Sequence, residues 1–161
     1  MTEASAGPVH AFLTGRGRDG RGRSLAEVLA FDDAGIEGVH DVIQWLFPLA
    51  EPSRAVPGAP VLGAAEAAAI RADPAARAGF LAARDRMLRF YAGTDGWLTA
   101  LDHNHLRITR ILTALRDLAG LEEAKAFHAA VLRLNDRAGS PVNPGSLEYG
   151  GRRSRPKQAC V

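Results

Sequence analysis

Two histidines and two arginines crowd into the stretch Asp102-His103-Asn104-His105-Leu106-Arg107-Ile108-Thr109-Arg110. Imidazole changes its charge near neutral pH, guanidinium offers a rigid fork of donors to carboxylate or phosphate, and the asparagine amide both donates and accepts. Asp102 or Asn104 can cap a helix that starts here, where exposed amides favour anions. The stretch is therefore either a binding corner or a well-capped helix start. A second set, His40, Gln44 and Trp45, lies sixty residues earlier. His103 and His105 have the H-x-H spacing of a metal pair, which His40 or Asp41 would have to complete from another helix. The same residues also have plain structural readings: His40 and His105 as packed core histidines, Trp45 as core, and Arg107 with Arg110 as surface ion pairs. No metal and no cofactor is expected.

The elements that must position these groups read as helices throughout. Ile108, Ile111, Leu112 and Leu115 recur at the spacing of one helix face, and Gly120 closes that helix. Ser24-Leu25-Ala26-Glu27 is a capping box that opens a short helix. Asp32-Asp33 caps a second, in which Ile36, Val39, His40, Ile43 and Phe47 share a side until Pro48 stops it, so His40 is expected at the buried face. Four prolines, from Pro48 to Pro60 inclusive, make an extended connector. Ala64 to Ala72 reads as a peripheral helix. Asp73-Pro74 opens a longer one with Phe80, Leu81, Arg84, Met87, Leu88 and Tyr91 on its stripe. Leu121 to Asn135 carries Ala124, Phe127, His128, Val131 and Leu134 inward. No strand alternation and no repeat is visible. The expected architecture is all-α, a compact bundle of five to six helices with flexible N- and C-terminal arms. Residues 1–23 form a Gly/Arg-rich arm, loosely ordered over 1–11 and a loop over 15–23. Residues 24–135 form the helical domain, and 136–161 a disordered basic tail.

Composition narrows the function classes. Of 161 residues, 47% are hydrophobic and 24% charged, which suits one globular domain with a real core. The net charge is +2, yet residues 24–135 hold 11 basic and 14 acidic side chains, so the basic excess sits at the ends. Cys160 is the only cysteine, which leaves no internal disulfide or cysteine-based zinc site and points to a reducing, cytoplasmic setting. No stretch approaches the roughly 18 apolar residues of a membrane span, and no export signal opens the chain. Phosphate-loop, nucleophile-elbow and zinc-protease motifs are missing.

Three stretches carry a resemblance. His40-Asp41-Val42-Ile43-Gln44-Trp45-Leu46-Phe47-Pro48-Leu49 with Glu51-Pro52, Arg86-Met87-Leu88-Arg89-Phe90-Tyr91-Ala92, and His103-Asn104 through Leu106-Arg107-Ile108-Thr109-Arg110-Ile111-Leu112 resemble, in order, the conserved region of the opioid growth factor receptor. The resemblance runs from about Phe12 to Leu134. In animals the family name reflects binding of a short opioid peptide by a nucleus-associated receptor whose long tail carries repeats. This chain has no such repeats and is similar to the short microbial members. His40, Gln44, Trp45, His103, Asn104, Arg107 and Arg110 match the animal pattern. Asp41 and His105 stand where the animal receptor has a small hydroxyl residue and an amide.

The leading expectation is a ligand- or peptide-binding helical module. Its site would lie where the helix ending Gln44-Trp45 meets the helix beginning His103-Asn104, with ligand-binding residues His40, Gln44, Trp45, His103, Asn104, Arg107 and Arg110. Receptor activity toward an opioid peptide is implied by the family name alone. The alternatives are a small enzyme using His40 or His103 as general base, and a nucleic-acid or acidic-protein adaptor acting through its basic arms.

Overall fold

The structure is a computed structural model that describes residues 5–148. Among the described residues eight α-helices follow one another: α1 (Pro8–Leu13), α2 (Leu25–Leu29), α3 (Asp33–Gly38), α4 (Ile43–Leu46), α5 (Ala64–Ala72), α6 (Pro74–Gly93), α7 (His103–Leu118) and α8 (Leu121–Arg137), with a 3-10 turn at Pro144–Leu147. Among the described residues the only strand-like pairing is an isolated bridge between Arg18 and Ser24. The all-α expectation holds. The caps fall where the sequence places them: Ser24 Oγ accepts from Glu27 N, Asp32 from Gly35 N, Asp73 from Ala75 N and Asp102 from Asn104 N.

The long helices α6, α7 and α8 form the body. Helix α8 packs against both α7 and α6, and Ile108, Ile111, Leu112, Ala114, Leu115 and Leu118 of α7 share one buried core with Ala124, Phe127 and Val131 of α8 and Phe80, Ala83, Met87, Phe90 and Tyr91 of α6. On α6 the buried stripe runs through Ala83, Arg86 and Phe90, so Leu81, Arg84 and Leu88 sit at its margin instead of on it.

The helix count exceeds the expected five to six for two reasons. The expected helix from Asp33 to Phe47 breaks at Val39–Val42 into α3 and α4. The carbonyls of Ile36 and Val39, which a continuing helix would pair with the amides four residues on, accept from the Arg107 guanidinium instead (2.9 and 3.2 Å). Gly35 and Gly38, poor helix formers, make that break inexpensive. The second addition is α1, where residues 8–11 had been expected to be loosely ordered. Val9, Phe12 and Leu13 are fully buried, and the buried Glu66 of α5 points Oε2 at the free amides of Val9 and His10 (2.9 and 3.1 Å). A carboxylate at the positive end of a short helix supplies stability that local propensity does not. Gly7 makes the approach feasible, since a side chain there would run into the Glu66 carboxylate.

The C-terminal reading is corrected over its described part. After α8 the chain reverses at Gly139 and Ser140, both with positive φ, and returns so that Val142 and Leu147 are buried. Asn135 Oδ1 accepts from Val142 N (3.2 Å) and Asn143 N donates to Ala100 O (3.1 Å). Two well-placed apolar side chains suffice to anchor a segment whose composition reads as unstructured. The remainder of the expected tail, 149–161, and residues 1–4 lie outside the described residues.

Helix α6 crosses α1 so closely that a Cβ on Gly79 would stand 2.0 Å from Leu13 O and 2.9 Å from Leu25 Cδ2. Replacing a helical glycine by alanine ordinarily stabilises a helix, by about 1 kcal/mol. Here the steric term governs. Gly79→Ala is expected to destabilise the fold by about 1–3 kcal/mol in urea denaturation, the range for overpacking, and an unchanged or higher midpoint would show that α1 moves aside without cost.

Candidate functional site

The start of α7 and the end of α3 meet in a polar corner. Asp102 Oδ1 caps α7 through Asn104 N (2.9 Å) and also accepts from Asn104 Nδ2 (3.0 Å). Glu37 of α3 reaches across, taking Asn104 Nδ2 on Oε2 (3.0 Å) and His103 Nε2 on Oε1 (2.9 Å). Asn104 is almost wholly buried, over the hydroxyl of Tyr91, whose ionisation burial pushes up. His103 is half-exposed, with its ring 5.6 Å from that of His40, edge to face. One turn along α7, buried Arg107 donates to Ile36 O, Val39 O and His40 Nδ1 (3.1 Å).

His40 is exposed, not at the buried face, because the α3/α4 break turns residues 39–42 out of the helical register that would have placed it inward. Its chemistry is set by Arg107. A guanidinium only donates, so Nδ1 must accept and the ring proton resides on Nε2. His40 thus offers an N–H to whatever approaches and has no lone pair left for general-base work.

The other expected site residues divide. His40, His103, Asn104 and Arg107 come together in one corner. Gln44 and Arg110 face the interior: Arg110 Nε donates to Phe47 O (2.8 Å), while Gln44 Oε1 and Arg110 Nη2 are buried without a hydrogen-bond partner among the described residues. Neither Arg107 nor Arg110 forms the surface ion pair considered for it, since both hold backbone carbonyls. Burial lowers the pKa of both, Arg110 to about 10 against the opposing charge of Glu51, and Arg107 against Tyr91, Glu37 and Asp102. His105 turns inward, Nε2 on Trp97 O (2.8 Å), so the H-x-H pair does not converge. No cluster of metal-ligating side chains occurs among the described residues.

Trp45 lies on another side of the α3–α4 link, edge-on to Phe12, and there the Gly/Arg loop enters. Asp19, with its side chain fully enclosed, accepts from Arg21 N and Arg23 N (both 2.9 Å) and from Arg23 Nε (2.7 Å). This inner carboxylate folds the loop so that Arg21 and Arg23 both meet Asp41, through Nε on Oδ2 (3.1 Å) and Nη2 on Oδ1 (2.9 Å). Burial alone would raise the Asp41 pKa, but the hydrogen bond and charge of Arg23, with the charge of Arg21, hold it below the usual carboxylate range.

Two depressions open here. One, of about 400 Å³, is lined by Arg21, Arg23, Gly38, Val39, His40, Asp41 and Val56. The other, of about 210 Å³, adds Gly20, Trp45 and Pro57-Gly58-Ala59. They share Arg21, Arg23, Asp41 and Val56, and so form one cleft with His40 toward one end and Trp45 toward the other. The proline-rich connector makes its far wall, closed at its base by Leu62 N donating to Leu49 O (2.8 Å). A larger cavity of about 600 Å³ lies between α8 and the returning segment, lined chiefly by Leu132, Val142, Pro144 and Leu147. It is mostly apolar, whereas the cleft gathers fixed charges, a directed N–H and an aromatic face.

Arg21, Arg23, Asp19 and Glu37 were not singled out as site residues by the sequence reading. The one legible signal was an aspartate amid the arginines of a glycine loop. Its partner Asp41 lies too far along the chain to be paired by inspection.

Residues 26–95 match the family described as Opioid growth factor receptor (OGFr) conserved region. The matched segment contains the stretch from His40 to Pro52 and that from Arg86 to Ala92, while the stretch from His103 to Leu112 lies beyond it. Comparison with curated proteins and with solved structures finds no match.

Two outcomes follow from this geometry. Because the folded pKa of Asp41 lies below its unfolded value near 3.8, its contribution is fully present above that value and is lost as pH falls through the folded value. The stability gap between the wild type and Asp41→Asn should therefore narrow in denaturation series taken from pH 5 down to pH 2.5; a constant gap would deny the ion pair that role. Arg107→Met should cost ~3 kcal/mol, the scale for losing buried charged hydrogen bonds, and should release His40, seen as a changed imidazole tautomer in nitrogen NMR.

Proposed function

We propose, for a chain whose residues 26–95 match the opioid growth factor receptor conserved region, the function of a helical binding module that takes a short peptide or comparable polar ligand in the cleft between the Gly/Arg loop and the proline-rich connector. The observation that carries this reading is the shared lining of the two depressions: Arg21, Arg23 and Asp41 connect His40 and Trp45 across one concave surface. Mixed charges, a directed N–H and an aromatic face within an elongated cleft match what peptide recognition needs, several polar contacts and one apolar foothold. In this reading His40 and Trp45 touch the ligand. His103, Asn104 and Arg107 hold His40 and its loop in place, and Gln44 and Arg110 support the α4 end of the floor.

Two other functions have less to rest on. A hydrolase with His40 as general base would need a lone pair where the ring carries its proton, and His103 has Nε2 on Glu37. For an adaptor acting through the basic loop, Arg18, Arg21 and Arg23 already face Glu27, Asp41 and Asp19, which leaves little positive potential for phosphate. No helix among the described residues is long and apolar enough to cross a membrane.

The opioid form of the proposal is tested by titration calorimetry with Met-enkephalin and a scrambled control. Saturable binding of the first alone, weakened at least tenfold in His40→Ala, is the expected result; equal or absent binding removes the opioid ligand for this chain.

A further inference from the structure

We infer that the ligand of the cleft is a zwitterion, an amino acid or short peptide with both termini free, whose carboxylate and ammonium take over Arg21 and Asp41 from each other. The inference rests on the cleft being the binding site and specifies what enters it.

The four fixed charges around the cleft are not equivalent. Arg23 is held from two sides, by the enclosed Asp19 and by Asp41, with its side chain only 20% exposed. Arg21 is the loose member: its side chain is 76% exposed and meets Asp41 through Nε alone, which leaves the outer edge of its guanidinium fork for a second carboxylate. Asp41 thus has one fixed cation and one displaceable one. An exposed ion pair of this kind is weak and is easily exchanged for another. Arg21 and Asp41 both line the two depressions, so the pair stands at their junction, where a ligand spanning the cleft must pass.

Charge balance selects the occupant. Arg21, Arg23 and Asp41 line the cleft and the enclosed Asp19 stands behind Arg23, so the four charges balance but are separated in sign. A simple anion could pair with Arg21 but would meet Asp41 beside it, and a simple cation could pair with Asp41 but would meet Arg21 and Arg23. A zwitterion satisfies both members of the opened pair and leaves no charge without a partner. His40 adds a neutral Nε2–H donor on the same side as Arg21, suited to a carboxylate or a peptide carbonyl. The smaller depression, with Trp45 and Pro57-Gly58-Ala59 on its wall, has room for one apolar or aromatic side chain.

The test uses the full chain and three probes, the dipeptide Ala-Phe, its N-acetyl form and its C-terminal amide, followed by calorimetry and tryptophan fluorescence. Trp97 is buried and serves as the constant background to Trp45. Ala-Phe is expected to bind and each blocked form to bind at least tenfold more weakly. In Arg21→Gln, a change at an exposed side chain whose fold is checked by circular dichroism, Ala-Phe and its amide should become equal. In Asp41→Asn, Ala-Phe and its acetyl form should become equal. Blocked forms that bind the wild type as well as Ala-Phe would overturn the zwitterion while leaving the cleft as a peptide site. No binding of any of the three would also overturn it, and the Met-enkephalin titration then decides the cleft separately.

Discussion

The guanidinium of Arg107 is the contact on which the rest of this architecture turns. It leaves α7 in the interior and takes two carbonyls from the end of α3, so the chain can stop being helical at Val39 without leaving buried acceptors unmet. Without that substitute partner, the helix of residues 33–38 would gain by running on to Phe47. The break turns His40 outward as a surface donor while Val42 stays in the core, and it puts Asp41 where the Gly/Arg loop can reach it. Arg86 does the same at the preceding junction, donating to Phe31 O and pairing with Asp33, and Arg110 does so at Phe47 O. Three arginines on long helices thus act as the C-terminal caps of the short segments packed on them. A lysine could not do so equally well, since its ammonium lacks the flat fork that meets several carbonyls at once.

The second organising contact is the enclosed carboxylate of Asp19. A glycine-rich loop with four arginines has every reason to stay extended in water, because its charges repel and its backbone has no preferred conformation. Asp19 reverses this by accepting from two of the loop's own amides and one of its guanidinium groups. The arginines then project on the side where Asp41 waits. The cleft is therefore made by two separate reorganisations, one in the loop and one at the α3–α4 link, that meet at a single aspartate. Pre-formed charge in a shaped cleft favours ligand binding because little ordering remains to be done when the ligand arrives.

Much of the fold was readable from local pattern. Ser24, Asp32, Asp73 and Asp102 signal their helices because a capping side chain needs only its own neighbours, and the α7 stripe from Ile108 to Leu115 is legible because helical periodicity is a local property. The unread parts share one cause, dependence on a distant partner. Helix α1 needs Glu66, fifty-six residues from His10. The return of residues 139–148 needs Asn135 and the α7–α8 surface. The exposure of His40 needs Arg107. Each is a polar group satisfied across the chain, and no periodicity records such a pairing.

The same division runs through the candidate site. The sequence by itself determined the helical class, the main boundaries, the family resemblance, and the cluster of His103, Asn104 and Arg107 at a capped helix start, because all of these are written in neighbouring residues. Only the tertiary structure decided which of those groups face outward. It turned Arg107 and Arg110 from ligand-seeking charges into holders of backbone carbonyls, withdrew Gln44 and His105 inside, and moved the accessible chemistry to Arg21, Asp41, His40 and Trp45. The physical reason is that a buried carbonyl must find a donor, and an interior arginine is engaged there before it can serve any ligand.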